Sequence, residues 1–510
     1  MLLKRFQASE SGKFGMMLAV ALPAVLAIAG FAIDISTLVN AKQRLQSSLD
    51  SALLASSRLK ETGQSRQEIF DNFLASNLHN MNDLADIEGK LEVNKGLNFI
   101  ETQGTATANV KLSLMRYFGD VSKVKVTSSA YESTSKLEVA MVLDNTGSMG
   151  ADRMKALRDA ATSLVNILES AKTANRDVKA ALVPFVTTVN IKGTGYSSAW
   201  VDTLATSPLH GANFDKKSDG KPHNHLDLFT TLNVPWKGCV EARPSPHNLD
   251  DTVPDSKKPE TLFVPAFAPD NPGAAAKSPN DNNNWNNSYL TDTTDTAAAQ
   301  KQIARYTNSA TVRFIDEKGP RTTGPNYACP TPIEPLTDDF TKLRTSISKM
   351  IYWEGGGTNV SEGLAWGMRV LSPGEPYTQG DPFKSAGTSK VVVVFTDGEN
   401  TVFGAATKTS FNTSDYGAYS FLDANRMGTT NRGTALTNVN TWTQTMCTRL
   451  KDQDVQVFTV LLGADTAANR TLYSKCASST ANYYPTSDVS QLKAVFEKIG
   501  NVVAQLYLTH

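Results

Sequence analysis

Three oxygen-bearing residues at alternate positions follow a short apolar segment of this chain. Val139–Leu143 is entirely apolar, as is typical of a strand buried on both faces of a parallel sheet, and Asp144, Thr146 and Ser148 come within the next five residues. One turn at the end of that strand can therefore direct a carboxylate and two hydroxyls at a single point. Hard oxygen ligands of this kind suit a divalent cation such as Mg²⁺, which prefers octahedral oxygen coordination and keeps some of its waters.

Two further segments also place oxygen ligands beside a regular element. In Lys390–Asn400 an apolar strand ends in Thr396 and Asp397, and Gly355–Gly357 precedes Thr358 and a helical pattern. Because α/β proteins bind ligands at the open carboxyl ends of their parallel strands, we expect the three segments to form one site. The alternative is a set of polar turns that only cap strands and helices.

The order of these segments resembles the von Willebrand factor A domain and its metal-ion-dependent adhesion site. That site usually combines a D-x-S-x-S motif with a distant Thr and with an Asp in a T-D-G turn. The resemblance implies five metal ligands in this chain, namely Asp144, Thr146, Ser148, Thr358 and Asp397. Thr146 stands where the family has Ser, a change that keeps the coordinating oxygen and adds a methyl group.

The expected cation is Mg²⁺, with Mn²⁺ and Ca²⁺ as alternatives. Because most of the expected ligands are neutral hydroxyls, the ion would keep unsatisfied positive charge and an open coordination position. A carboxylate from another protein is the natural ligand for that position, and this is binding chemistry rather than catalysis. The family resemblance implies the same.

Apolar and amphipathic segments alternate along residues 137–510 in the manner of an α/β fold. The predicted order is strand, helix, strand, insertion, helix, metal loop, helix, strand, helix, strand, helix, which indicates a doubly wound, Rossmann-like sheet with helices on both faces. The predicted helices are Met154–Leu168, Leu336–Tyr352, Val360–Leu371, Leu436–Leu450 and Val489–Tyr507. The predicted strands, besides those before the metal loops, are Val178–Val189, Val455–Leu462 and Ala481–Pro485.

Two polar stretches interrupt this pattern. Residues 191–336 are rich in Gly, Pro, Asn, Ser, Thr and Asp, with a run of Asn around Trp285. A structureless loop of this length is abnormal inside a domain, so the stretch is a functional insertion or is partly disordered. The second stretch, Val402–Gly433, follows the Asp397 turn and is a candidate for part of the ligand rim or a disordered surface loop. Its aromatic residues include Tyr416, Tyr419 and Phe421.

The four cysteines are too widely spaced for a C-x-x-C metal or redox motif. An even number in an exported chain suggests two disulfides, most simply Cys239 with Cys329 and Cys447 with Cys476. Three pairings are possible from the sequence alone, and four buried free thiols are the alternative.

An uncharged run of 20 residues, Phe14–Ile33, follows Lys4, Arg5 and Lys13. At 1.5 Å per residue a helix of this length crosses the ~30 Å hydrocarbon core of a bilayer. The basic residues before it predict a cytoplasmic tail at 1–13, a span at 14–34 and export of the remainder. A cleaved signal peptide is the alternative, because Ala27 and Ala29 form an A-x-A pattern. Retention of the segment is favoured because the helical pattern continues without interruption to Leu59.

Residues 35–131 predict a small α+β module. After the long helix come a helical segment at Glu68–Leu84 and four short strands, Leu91–Asn94, Leu97–Gly104, Ala106–Leu114 and Val124–Tyr131.

An anchored helix with such a module resembles TadE/TadG-like proteins of the tight-adherence (Flp) pilus assembly apparatus. The resemblance is carried by Gly12–Gly15, by the Ala/Leu/Pro-rich span and by its exit through Phe31–Asp34. It implies a single-pass protein of the bacterial inner membrane, with a cytoplasmic amino terminus, a periplasmic remainder, and pilus-assembly or envelope proteins as partners. Prepilin-like relatives carry a glutamate about five residues after the processing glycine, but no acidic residue lies between Lys13 and Asp34, which favours an anchored factor over a polymerising subunit.

Composition and missing motifs argue against other function classes. The 50 basic and 50 acidic residues balance, without a long basic block, so we expect no nucleic-acid partner. There is no G-x-x-x-x-G-K-[ST], G-x-S-x-G or H-E-x-x-H motif, so we expect neither nucleotide binding nor an enzyme. Two alternatives remain: a structural envelope protein whose A domain is a metal-free scaffold, and a metal-dependent hydrolase using Glu399, Glu354 or Asp152 as its base.

Overall fold

The computed structural model divides into two compact units, Met1–Thr134 and Ser135–His510. The residues that the structure describes are 10–57, 65–79, 81, 83–95, 99–117, 123–133, 136–173, 176–271, 287–291, 300–306, 315–316, 318–320, 322–385, 387–402, 414–463 and 466–504.

The first unit combines two helices with an antiparallel sheet of strand order β1-β2-β3. Its elements are α1 (Glu10–Ser57), α2 (Arg66–Leu78), β1 (Leu84–Lys95), β2 (Phe99–Val110) and β3 (Lys123–Ser133). Among the described residues, α1 is the one helix long and apolar enough to cross a membrane. The predicted long helix is confirmed as far as Ser57, and its last two predicted residues lie outside the described residues.

Beyond the apolar run, α1 packs on the sheet. Leu45, Leu49 and Leu53 lie on one face of the helix at spacings of four residues and are at most 1% exposed. A Cβ atom added at Gly104 of β2 would lie 2.9 Å from Leu49 Cδ1 and 3.1 Å from Leu53 Cδ1. The sheet therefore needs glycine at this position for the helix to approach it closely.

Several predicted boundaries in this unit are wrong. The predicted helix to Leu84 ends at Leu78, and Leu84 begins a strand. The two strands predicted on either side of Thr105 are one strand, because Gly104 keeps its pairing with Ser128 across the sheet. The chain leaves the sheet after Val110 because backbone N–H groups of the next residues bind a side chain of α1, as described below.

The second unit is built on a mixed sheet of eight strands. Its strands are β4 (Lys136–Asp144), β5 (Asp177–Phe185), β6 (Val189–Asn190), β7 (Cys239–Val240), β8 (Glu334–Thr337), β10 (Thr388–Thr396), β12 (Val455–Leu462) and β13 (Tyr483–Thr486), and a separate short pair is formed by β9 (Gly357–Thr358) and β11 (Thr401–Val402). Its helices are α3 (Gly150–Ser170), α4 (His225–Thr231), α5 (Phe340–Ser348), α6 (Val360–Leu371), α7 (Arg432–Asp452), α8 (Ala467–Cys476) and α9 (Leu492–Ala504).

Five strands of this sheet run parallel, in the order β13-β12-β10-β4-β5. Helix α3 contacts α5 and α9, helix α7 contacts α6 and α8, and both groups contact the sheet. The predicted doubly wound α/β fold is confirmed. The chain passes from β4 to β5 on one side and returns to β10 on the other, so the switch point of the sheet lies between β4 and β10.

The sequence analysis missed the antiparallel edge formed by β6, β7 and β8, which extends the sheet beyond β5. The helix predicted at Leu336–Tyr352 is shorter in the structure and covers Phe340–Ser348. The first residues of the predicted helix belong to strand β8, Glu334–Thr337. Helix α8 was also missed. The closing helix is described to Ala504.

Much of the insertion is packed into the core of the second unit. Trp200, Phe214, Phe229, Phe267 and Tyr306 are at most 5% exposed and belong to the same apolar cluster as the central strands. These residues of the insertion are therefore ordered, and Trp285 lies outside the described residues. The second polar stretch differs from its predicted role as a ligand rim, because three of its aromatic residues are buried at 3 to 5% exposure, namely Tyr416, Tyr419 and Phe421.

Both predicted disulfides are present. Cys239 in β7 is bonded to Cys329, with Cα atoms 5.7 Å apart, and closes the insertion before β8. Cys447 in α7 is bonded to Cys476 at the end of α8, with Cα atoms 5.0 Å apart. The second bridge therefore links the two helices that flank β12.

Candidate metal centre

Two carboxylates lie at the carboxyl ends of the neighbouring strands β4 and β10. Asp144 is the last residue of β4, and Asp397 follows Thr396, the last residue of β10. The strands are parallel and in register, with Leu143 paired to Phe395. Both carboxylates therefore reach the switch point of the sheet, the place where this class of fold binds ligands.

Four of the five predicted ligands are brought together by hydrogen bonds to the two carboxylates and by a contact between the two hydroxyls. Thr146 donates from its backbone N–H and its hydroxyl to Asp144 Oδ1, at 2.8 and 2.6 Å. The Thr146 hydroxyl lies 3.0 Å from the Ser148 hydroxyl, which donates to Asp397 Oδ1 at 2.7 Å. The structure thus brings together Asp144, Thr146, Ser148 and Asp397 from two loops about 250 residues apart in the sequence.

Thr358, the fifth predicted ligand, lies in the neighbouring loop. Its backbone N–H donates to the Thr401 hydroxyl at 2.9 Å, so β9 is tied to the loop that follows Asp397. The next backbone N–H, of Asn359, donates to the Val186 carbonyl just beyond β5 at 3.1 Å. In the part of the chain that the structure describes, no hydrogen bond joins the Thr358 hydroxyl to the other four side chains.

The glycines before Thr358 are needed for the shape of this loop. Gly355, Gly356 and Gly357 have φ angles of 98°, 75° and 98°, which L side chains rarely adopt. Just before them, the Trp353 N–H donates to the Asn145 carbonyl at 2.8 Å. The loop at Gly355–Thr358 is therefore held against the Asp144–Ser148 loop at one end and against the loop that follows Asp397 at the other.

The site is buried and has an excess of negative charge. Asp144 and Asp397 are 0% and 4% exposed. Burial, together with the nearby charge of Asp397, raises the pKa of Asp144 to about 7, although hydrogen bonds from Thr146 and Thr396 oppose the shift. A positive ion at this position would favour the ionised form of Asp144.

Two contributors to the site were not among the predicted ligands. The Thr396 hydroxyl donates to Asp144 Oδ2 at 2.7 Å. Arg153 Nη1 donates to Asp397 Oδ2 at 2.7 Å, and the Arg153 side chain is 39% exposed. Its position in the first turn of α3, five residues after Ser148, is the signal in the sequence that could have identified it.

The donor set fits a hard divalent cation. It offers carboxylate and hydroxyl oxygens, and the described residues contain no group of three or more His, Cys, Asp or Glu side chains that could hold a metal instead. The hydroxyls can keep their protons on the carboxylates while their lone pairs bind an ion. Such an ion would be held by Asp144, Thr146, Ser148 and Asp397, with Thr358 as a further ligand, and would supply an open position for an anionic group.

Comparisons with known proteins agree with the amino-terminal resemblance. Residues 12–58 match the family model described as "Putative Flp pilus-assembly TadE/G-like", so the predicted TadE/TadG-like segment is confirmed. A comparison with curated proteins gives no significant match.

The solved structures that match this chain include three proteins that share 10% sequence identity with it. The vWF domain of the type V pili tip protein Mfa5 from Porphyromonas gingivalis matches 74% of this chain and 98% of its own, with a TM-score of 0.32. Proximal thread matrix protein 1 from the mussel byssus matches 73% of this chain and 47% of its own, with a TM-score of 0.29. The pilus adhesin RrgA from Streptococcus pneumoniae matches 81% and 48%, with a TM-score of 0.29. The chain thus spans less than half of the last two proteins.

Proposed function

We propose that this chain, whose residues 12–58 are TadE/G-like, is a membrane-anchored factor of Flp pilus assembly that binds protein partners through a divalent cation. The cation is Mg²⁺, with Mn²⁺ or Ca²⁺ as substitutes. The ligands are Asp144, Thr146, Ser148, Thr358 and Asp397, and an acidic side chain of the partner completes the coordination.

One observation carries the proposal. The carboxylates of Asp144 and Asp397, from distant parts of the chain, are joined through the hydroxyls of Thr146 and Ser148 at the switch point of the sheet. These hydroxyls are neutral, so an ion bound there keeps net positive charge that a partner's carboxylate can neutralise. The chemistry we propose is that of binding, because the open position of such an ion suits an anionic group of a partner.

The location follows from the first helix. α1 fits a single-pass anchor, and the TadE/G-like segment places that anchor in a pilus-assembly family. We propose the bacterial inner membrane, with the amino terminus in the cytoplasm and the residues that follow the span in the periplasm, because Lys4, Arg5 and Lys13 precede the span.

The proposal is tested by capturing partners from cells that produce the full chain. Crosslinked partners are isolated with and without a chelator from cells with wild type, Asp144→Ala, Thr358→Ala or the control Asp159→Ala. Asp159 lies on α3, where it pairs with Lys155 at 56% side-chain exposure, away from the predicted ligands. We expect chelator and both ligand variants to abolish capture and the control to retain it. Capture that survives in both ligand variants would contradict the proposal.

A second candidate is a metal-free scaffold, and the ion pair between Arg153 and Asp397 favours it. A guanidinium already neutralises one of the two carboxylates, so the polar loops could be stable without an ion. In that case the insertion would bind the partner, and capture would be insensitive to chelator and to Asp144→Ala.

A metal-dependent hydrolase is the least supported alternative. Glu399 and Asp152 are exposed at the surface, as expected of solvated acids, and the backbone of Glu354 holds its loop through Pro320. Divalent-metal-dependent turnover that is lost in Glu399→Gln would be needed to favour this function over binding.

A further inference from the structure

The segment between β2 and β3 folds back onto α1 where the apolar run of that helix ends. We call this segment, Lys111–Tyr117, the collar. Asp34 of α1 is 1% exposed, and its carboxylate accepts three backbone hydrogen bonds from the collar. Ser113 donates to Oδ1 at 2.8 Å, and Leu114 and Met115 each donate to Oδ2 at 2.7 Å. Asp34, the first charged residue after the apolar run, therefore binds the backbone of the collar.

The collar also reaches back along the apolar run itself. A Cβ atom added at Gly30 would lie 2.9 Å from Leu114 Cδ2, so the Leu114 side chain lies against the helix backbone at that point. Gly30 precedes Asp34 by one helical turn, or about 6 Å. Because the apolar run extends to Ile33, the collar lies beside its last turn and not beyond it.

This placement has a consequence for a membrane crossed by α1. The 20 residues of Phe14–Ile33 span about 30 Å as a helix, which matches the hydrocarbon core without spare length. If these residues fill the core, the collar lies at the boundary between the acyl chains and the headgroups. It presents Tyr117 there with 71% of its surface exposed, and tyrosine is enriched at this boundary in membrane proteins.

We propose that the collar lies in the headgroup layer of the membrane, with Tyr117 against lipid and Asp34 setting the depth of the segment. This inference rests on the proposed function only in that α1 spans a membrane. The occupant of the Tyr117 surface is a phospholipid bilayer, because the Tyr117 N–H donates to the carbonyl of Leu114, whose side chain lies against Gly30 in the apolar run. The collar thereby fixes the first unit on the membrane surface instead of leaving it on a free tether.

Site-directed spin labelling of the full chain tests the proposal. All four native cysteines are in disulfides, so an introduced cysteine is the single reactive thiol. Labels are placed by Tyr117→Cys, by Ile28→Cys in the span, where the side chain is 69% exposed, and by Lys90→Cys on β1, where it is 75% exposed. The proteins are reconstituted in phosphatidylcholine and phosphatidylglycerol vesicles. The measurement is the accessibility of each label to oxygen, which concentrates in lipid, relative to a water-soluble nickel chelate.

We expect the oxygen-to-nickel ratio at position 117 to lie between a high value at 28 and a low value at 90. A ratio at 117 equal to that at 90, with 28 in lipid, overturns the collar while the anchor of the proposed function stands. Low ratios at both 117 and 28 mean that the anchor itself fails. Spin–spin broadening at 117 that disappears on dilution with unlabelled protein shows that a second copy covers the surface, which also overturns the proposal.

The role of Asp34 is tested in the labelled Tyr117→Cys protein. Asp34→Asn replaces one acceptor oxygen by an amide that cannot accept a hydrogen bond, so the label should shift towards the aqueous value measured at position 90. Asp50→Asn is the matched control, since Asp50 lies on the same helix and accepts from Gln46 at 2.9 Å. The control should leave the ratio unchanged. An unchanged ratio in Asp34→Asn would show that this carboxylate does not set the depth.

Discussion

At the scale of single residues, the candidate site places two buried carboxylates near one guanidinium. Arg153 pairs with Asp397, whereas Asp144 receives its hydrogen bonds from hydroxyl and amide groups. A divalent cation must therefore bind beside a fixed positive charge. Arg153 repels the cation but also orients the Asp397 carboxylate. We expect the affinity for the metal to depend on the balance between these two effects.

We predict that Arg153→Gln strengthens Mg²⁺ binding about tenfold, because it removes a positive charge close to the site while leaving the oxygen ligands in place. The measurement is calorimetric titration of the metal-stripped full chain in detergent. Lys155→Gln, an exposed change on the same helix, should alter the affinity by much less. Weaker binding in Arg153→Gln would instead make this residue a positioning residue for Asp397.

The sequence predicted four residues of the network correctly because their spacing follows the ends of apolar strands. Asp144, Thr146 and Ser148 were predicted to lie together because they are alternate residues at the end of an apolar strand. Asp397 was predicted because it also follows an apolar strand. Arg153 was missed because its position in the first turn of α3 shows only that it lies near the site, whereas its contact with Asp397 also depends on the angle at which α3 leaves the Asp144–Ser148 loop. The metal itself stays a prediction.

At the scale of elements, a buried ion pair joins the central strands at the end away from the candidate site. Glu138 of β4 and Lys390 of β10 are paired in the sheet and are 2% and 4% exposed. Burial raises the pKa of Glu138 and lowers that of Lys390, and each opposite charge counters this effect. Lys390 also donates to the Leu371 carbonyl at the end of α6, at 2.7 Å.

We predict that Lys390→Met lowers the free energy of unfolding by about 3 to 5 kcal/mol, because the Glu138 carboxylate is left buried without an opposite charge. The double variant Glu138→Leu with Lys390→Met should recover most of the loss, since it removes both charges. Urea denaturation followed by circular dichroism measures both effects. Equal destabilisation by the single and the double variant would show that packing, not the unpaired charge, dominates.

The disulfide between α7 and α8 provides a second prediction for an element. Replacing both Cys447 and Cys476 by Ala should lower the free energy of unfolding by about 3 to 4 kcal/mol, because the bridge restricts a loop of 29 residues in the unfolded chain. The same denaturation experiment measures the change. A loss below 1 kcal/mol would mean that the native packing of α8 already holds this segment without the bridge.

The four long parallel strands, β4, β5, β10 and β12, and the long helices could be predicted because each has a clear hydrophobic pattern over eight or more residues. Strands β6 and β7 have two residues each, too few for any periodicity, and they form only because the insertion folds against β5. Tyr416, Tyr419 and Phe421 were assigned to the surface on the polarity of their neighbours. Tertiary packing against the insertion buries them instead.

At the scale of the whole molecule, the account requires that the amino-terminal helix stays attached. The apolar run contains an A-x-A pattern at Ala27 and Ala29, which a signal peptidase could recognise. The continuous helix through this point, from Glu10 to Ser57, is the physical reason to expect retention.

We predict that wild type and Ala29→Leu have the same mass and both remain with the membrane after carbonate extraction. The substitution blocks the A-x-A pattern but keeps the run apolar, so it changes nothing if the helix is a retained anchor. Intact-mass measurement of both proteins from cells provides the test. A wild-type chain that is shorter and soluble, beside a longer membrane-bound variant, would establish cleavage.

The central claim is that the oxygen ligands of three loops hold one divalent cation. The most direct test is titration of the metal-stripped full chain with Mn²⁺, with free Mn²⁺ measured by electron paramagnetic resonance. We predict saturable binding of one ion per chain that Mg²⁺ displaces, that Asp144→Asn and Thr358→Ala abolish, and that the exposed control Asp159→Asn retains. Absence of saturable binding in the wild type, or equal binding in all four proteins, would contradict the claim.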